Sequence, residues 1–78
     1  MRLIIAGTYY QYAEHIRHYP PMVATRYIKD PDQLLGYDGK AQIVLAGAWW
    51  HNKCYGSWQL AQLLDKIEWE NEKNQSKH

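Results

Sequence analysis

The sequence has no phenylalanine, one cysteine, three prolines and five glycines among 78 residues, and each shortage excludes something. A lone Cys54 cannot form an internal disulfide and fits a reducing compartment. No set of four Cys and His ligands occurs, which argues against a structural zinc. A chain this short must therefore fold on apolar packing, with or without self-association. Charge of one sign is lacking too. Nine basic and eight acidic residues leave a formal net charge of +1, and no basic run is present to track a nucleic-acid backbone. The apolar opening runs for only about four residues, too few for a signal peptide or a membrane span. The expectation is a soluble cytoplasmic protein with no membrane contact. The G-x-G-x-x-G and G-x-x-x-x-G-K-[ST] fingerprints of dinucleotide and P-loop sites are missing as well.

What the chain has instead is tyrosine and tryptophan, seven and four of them. Every aromatic ring thus carries a polar handle, which suits half-buried positions and interfaces better than a dry core. The chain also repeats itself. Residues 3–10 (LIIAGTYY) align without a gap with residues 43–50 (IVLAGAWW). A short, β-branched apolar run ending at glycine predicts a buried strand that turns sharply. Two such strands predict neighbours in a parallel sheet, with both carboxyl ends at one edge. That edge is where open α/β sheets place ligands.

The rest of the chain fits between these strands. Strand one is expected over residues 2–6. Thr8 is an N-cap with Gln11 three residues later, a T-x-x-Q capping box. A helix over 9–19 would turn Tyr9, Tyr12, Ala13 and Ile16 inward, with Tyr10, Glu14, Arg17 and His18 outward, and would end at Pro20-Pro21. Strand two spans 23–28. Asp30-Pro31 starts a short helix over 31–35 that stops at Gly36, pinned by Leu34 and Leu35. Asp38-Gly39 turns the chain into strand three, 42–46. After a loop over 51–56, Ser57 caps a last helix over 58–72, whose apolar stripe is Leu60, Leu63, Leu64 and Ile67. The sum is a β-α-β-α-β-α chain. Right-handed crossovers give a three-stranded parallel sheet of order 2-1-3, a minimal doubly wound, Rossmann-like α/β fold. Residues 1–72 form its single domain, and 73–78 a polar tail expected to be disordered.

Two constellations are candidate sites. At the strand ends, Gly7, Thr8, Tyr9, Tyr10, Gly47, Trp49 and Trp50 suggest a shallow aromatic crevice. Amides at the helix start would hold a phosphate or carboxylate there, and rings would stack a base. The plainer alternative is that glycine permits the turns and the rings cover a small core. Arg26, Lys29 and Lys53 are the nearest cations on this topology, each a ready surface charge otherwise. On the last helix, about 100° per residue places Trp58, Gln62, Asp65 and Trp69 together opposite the apolar stripe. This is a candidate protein interface, unless the tail folds over it. His51-x-x-Cys54 gives half a metal site or a cysteine beside a base. His15, His18 and His78 have no evident way to complete a ligand set.

Three stretches together resemble a family. They are the apolar-A-G-T opening, R-Y-I-x-D-P-x-Q-L-x-G from Arg26 to Gly36, and apolar-L-A-G-x-W-W from Val44 to Trp50. The pattern resembles small uncharacterised bacteriophage accessory proteins with a minimal Rossmann-like domain, over roughly residues 2–64. The resemblance implies the bacterial cytoplasm, a host-directed or regulatory role, and no catalytic residues. A second similarity, to nucleotide-sensing Rossmann-like domains opening with strand-G-[ST]-R, is weakened by Tyr9 in place of that arginine. No acid and base converge on the strand ends, so the reading is binding without catalysis, metal or cofactor. The preferred function is a protein-interaction module, homodimeric or bound to a host or phage protein. The alternative is a small nucleotide or nucleic-acid binder using the Gly7/Gly47 crevice.

Overall fold

Arg2–Ala6 forms β1, Thr25–Ile28 forms β2 and Gln42–Ala46 forms β3. The three strands make one parallel sheet in the order β2-β1-β3. The structure is a computed structural model and describes residues 1–20 and 22–75. The repeat aligns in space as it does in sequence: Leu3 pairs with Ile43, Ile4 with Val44, Ile5 with Leu45 and Ala6 with Ala46. Side chains of a strand alternate between faces. On β1 both sets, Leu3 with Ile5 and Ile4 with Ala6, are buried. This double burial explains why the run is apolar throughout rather than alternating.

Each face has its own cover. The helix α1, Tyr9–His18, lies over Ile4, Ala6 and Ala46, with Tyr12, Ile16, Tyr27 and Val44 half-buried around them. The helix α2, Trp58–Gln75, and a 3₁₀ turn at Pro31–Leu34 cover the other face. There Leu3, Ile5, Ile28, Leu34, Ala41, Cys54, Leu60 and Leu63 make the larger core. Ser57 caps α2 as expected, its Oγ accepting from Leu60 N at 3.2 Å. Among the described residues no helix is long and apolar enough to cross a membrane.

The structure corrects several expectations. The crossover between β2 and β3 carries a four-residue 3₁₀ turn, not an α-helix. Leu35 is already extended (φ −69°, ψ 141°) and Gly36 has φ 90°, so the chain leaves helical geometry after one turn. Leu34 is buried there, whereas Leu35 is exposed. β2 begins at Thr25 rather than residue 23. α1 ends at His18, where the Tyr19 amide donates to the His15 carbonyl at 2.8 Å; Pro21 lies outside the described residues. Tyr9 is 67% exposed, because it rides on the rings of Tyr12 and Tyr27 (centroids 5.7 and 5.8 Å away) instead of on the sheet. Leu64, expected in the stripe of α2, is exposed. α2 continues through Gln75, so residues 73–75 of the expected tail are helical. No glycine or proline follows Ser57, and propagation adds a hydrogen bond per residue at little cost. Residues 76–78 lie outside the described residues.

Candidate functional site

Parallel strands that end together leave backbone donors and acceptors unpaired at their carboxyl edge, and buried ones need partners. Three side-chain amides of this chain supply them. Gln11, in the first turn of α1, accepts with its Oε1 from Gly7 N at 3.1 Å and from Ala48 N at 3.0 Å. Gln33 Oε1 accepts from Lys29 N at 2.8 Å and Asp30 N at 3.0 Å, just beyond β2. Asn52 is buried. Its Nδ2 donates to the carbonyls of Ala6 and Ile28, both at 2.8 Å, and its Oδ1 accepts from Cys54 N at 2.8 Å. Asn52 therefore ties the last residues of β1 and β2 to the loop after β3.

Gln11 occupies the crevice that the sequence nominates for a ligand. Thr8 Oγ1 accepts from Gln11 N at 3.2 Å, the forward half of the capping box. The Gln11 side chain, expected to return to Thr8, reaches instead to Gly7 and across to Ala48. The two glycines make room for it. A Cβ on Gly47, where φ is +57°, would sit 2.7 Å from Gln11 Oε1; one on Gly7 would meet the same atom at 2.7 Å and collide with the Ala48 carbonyl.

The aromatic neighbours diverge. Tyr10 is exposed and borders a depression of about 270 Å³ with Gln11, Glu14, His15, His18, Ala46 and Gly47. Trp49 is half-buried against the larger core, its ring 5.3 Å from that of Tyr55. Trp50 points to solvent beside His51. Arg26 is not at this edge, contrary to expectation. It pairs in register with Leu3 at mid-strand, and its Nη1 donates to the Tyr37 hydroxyl at 3.1 Å. Lys29 and Lys53 do reach the edge. With Gly7, Tyr27, Asp30, His51 and Asn52 they line a cavity of about 290 Å³, where Lys53 Nζ lies 3.6 Å from Asp30 Oδ1.

Cys54 is 0% exposed. Burial first, and the Asp30 charge second, push its thiol up to about 11. A thiol held neutral inside a core is neither a nucleophile nor a metal ligand, and His51 lies on the exposed surface. The His51/Cys54 pairing is thus structural on the cysteine side. Among the described residues no three His, Cys, Asp or Glu side chains could hold a metal ion together; His78 lies outside them.

The second candidate site is where the spacing puts it. Trp58 and Trp69 are 62% and 60% exposed, and Gln62 and Asp65 between them are also exposed. Trp69, Gln62 and Asp65 border a groove of about 430 Å³ with Asp38, Gly39, Lys66 and Glu70. Gly39 builds its wall. A Cβ there would strike the Lys66 carbonyl and come within 2.9 Å of Glu70 Cβ, so only glycine lets the turn before β3 lie against α2.

Sequence reasoning missed the amides of Gln33 and Asn52 and the long reach of Gln11. Two carried a faint signal. Thr8-x-x-Gln11 has capping-box spacing, yet Gln11 takes the Gly7 and Ala48 amides in place of Thr8; Asp30-x-x-Gln33 has the same spacing, and Gln33 both closes that box on Asp30 N and takes Lys29 N. Asn52 carries no sequence signal at all. Comparison of the chain with protein-family profiles, with curated proteins and with solved structures finds no match in any of the three.

Proposed function

We propose that this protein is a non-catalytic protein-binding module whose contact surface is the outer face of α2. One observation carries the reading: two tryptophans, both mostly exposed, stand on one stripe of a helix, and Trp69 borders an open groove. The two tryptophans stand eleven positions apart, roughly 16 Å along the axis. Exposed indoles are unfavourable in water and dominate binding energies when a partner covers them. Gln62 and Asp65 between the rings would give orientation through hydrogen bonds. The competing nucleotide reading relied on amides at the start of α1; the Gln11 side chain, bound to Gly7 N and Ala48 N, occupies the space between the two glycines beside them.

The resemblance to bacteriophage accessory proteins supports a partner encoded by the host or the phage, met in the bacterial cytoplasm. A second copy of the chain is the alternative partner. Strand order 2-1-3 with a helix on each face is consistent with a minimal Rossmann-like unit that carries no fingerprint nucleotide loop. The test is capture from bacterial lysate by the full chain and by the Trp58→Ala/Trp69→Ala variant, with sedimentation of the purified protein alongside. The expected result is a partner, or a dimer, held by the parent chain and weakened at least thirty-fold by the variant, about 2 kcal/mol, with unchanged circular dichroism. Equal association of both forms would remove α2 as the contact surface.

A further inference from the structure

The cavity beyond β1 and β2 is not part of the α2 surface, and its lining suits an anion. Lys29, His51 and Lys53 converge on it with one carboxylate, Asp30, opposed to the two lysines. Among the described residues Lys29 makes no ion pair, and Lys53 shares Asp30 at 3.6 Å with both groups well exposed. The cavity therefore keeps net positive charge. Its floor is prepared as well. The Ala6 and Ile28 carbonyls end β1 and β2 at this edge, and bare carbonyl oxygens would repel an anion. Asn52 Nδ2 holds both of them, so the two strand ends present a capped, neutral floor beneath the cations. Tyr27 adds a half-buried aromatic wall.

We infer that this cavity binds a phosphate group, carried by a small phosphomonoester. The volume of about 290 Å³ stands at the bottom of the range for small-molecule sites, roughly 300–1,000 Å³. That size fits a sugar phosphate and is too small for a dinucleotide. The lysines supply the charge and the Tyr27 side faces the organic part. The site adjoins the Gly7/Gly47 crevice and shares Gly7 with it, but its other walls come from the end of β2 and the loop after β3, and neither Gly47 nor Gln11 lines it.

The experiment is an amide NMR titration of the full chain with ribose 5-phosphate, inorganic phosphate and ribose. Ribose 5-phosphate should give saturable shifts at Gly7, Lys29, His51 and Lys53, with a dissociation constant on the order of 1 mM or tighter, and ribose should give none. Lys29→Gln and Lys53→Gln should each weaken binding at least five-fold, and Lys40→Gln should leave it unchanged. All three lysines are exposed, and the same spectra report that the fold is intact. Tighter binding of ribose 5-phosphate than of inorganic phosphate assigns the site to a monoester; equal binding assigns it to the free ion. Shifts that do not saturate, that spread equally to Lys40 and Lys66, or that survive both cavity variants would overturn the inference.

Discussion

The two copies of the repeat, 3–10 and 43–50, pair residue for residue up to their Ala-Gly and then part company. After Gly7 the chain enters a ten-residue α-helix at once. After Gly47 it makes only a 3₁₀ turn, Trp49–His51, and no α-helix starts until Trp58. The small residue between glycine and the aromatics decides much of this. Thr8 is extended (φ −142°, ψ 161°) and its hydroxyl caps the Gln11 amide. Ala48 has no side-chain oxygen to offer and sits at φ −83°, ψ 57°. The strands differ in the same spirit. Ile5 is 0% exposed on the central strand, whereas its counterpart Leu45 is 47% exposed on the edge. Similar words thus acquire different meanings from one hydroxyl and from strand position.

Substituting the two glycines should break this comparison most forcefully. Gly7→Ala puts a Cβ against a backbone carbonyl that cannot move without parting β1 from the turn after β3, so a loss of about 3 kcal/mol is expected. Gly47→Ala meets the end of the Gln11 side chain and a positive φ of 57°, for about 2 kcal/mol. Urea unfolding followed by tryptophan fluorescence measures both. If the order is reversed, the turns are not fixed as described.

Removing the bridge sharpens the contrast. Gln11→Ala deprives the Gly7 and Ala48 amides of their acceptor, at about 1–2 kcal/mol because water reaches this partly buried site. It also removes the two closest atoms, Oε1 and Cδ, that an alanine at 47 would meet, leaving the Cβ of residue 11 at 3.1 Å. In a double-mutant cycle, Gln11→Ala should therefore relieve Gly47→Ala by about 1 kcal/mol. It should leave the cost of Gly7→Ala largely in place, since the Ala48 carbonyl remains. Strict additivity of Gln11→Ala with Gly47→Ala would show that the two do not touch.

The smallest effect comes from exchanging the residue that distinguishes the copies. Thr8→Ala should cost about 1 kcal/mol through the lost cap. Ala48→Thr should change stability by less than about 0.5 kcal/mol, since its backbone is not in cap geometry and no α-helix follows it directly. A stabilisation by Ala48→Thr equal to the loss at Thr8 would mean that the side chain alone chooses the helix.

Much of the frame is legible in the sequence. The apolar runs at 3–6 and 43–46 have one stable setting, as neighbouring parallel strands, and Asp30-Pro31 marks the turn that separates β2 from β3. The Trp58, Gln62, Asp65 and Trp69 stripe follows from helical spacing, and both indoles are indeed outward. The strand-end crevice was legible only as a place. Gln11 reads as a local cap within its own helix, and nothing in its neighbourhood shows that Ala48, 37 residues away, would be its second partner. Lys29 and Lys53 belong to the edge and Arg26 does not, because Arg26 lies back along β2 in register with Leu3, where its guanidinium donates to Tyr37.

The sequence by itself determined the three strands, the places of α1 and α2, the parallel order β2-β1-β3 and the outward stripe of α2. Periodicity, caps and turn residues act within a few positions, and a doubly buried strand has few places to go. Only the tertiary structure decided how the sheet's carboxyl edge is closed. Asn52 joins Ala6 and Ile28 from 46 and 24 residues away, and Gly39 brings the turn before β3 onto α2. A neutral amide takes whichever backbone group lies within reach. The crossovers bring those groups within reach only when the whole chain has folded.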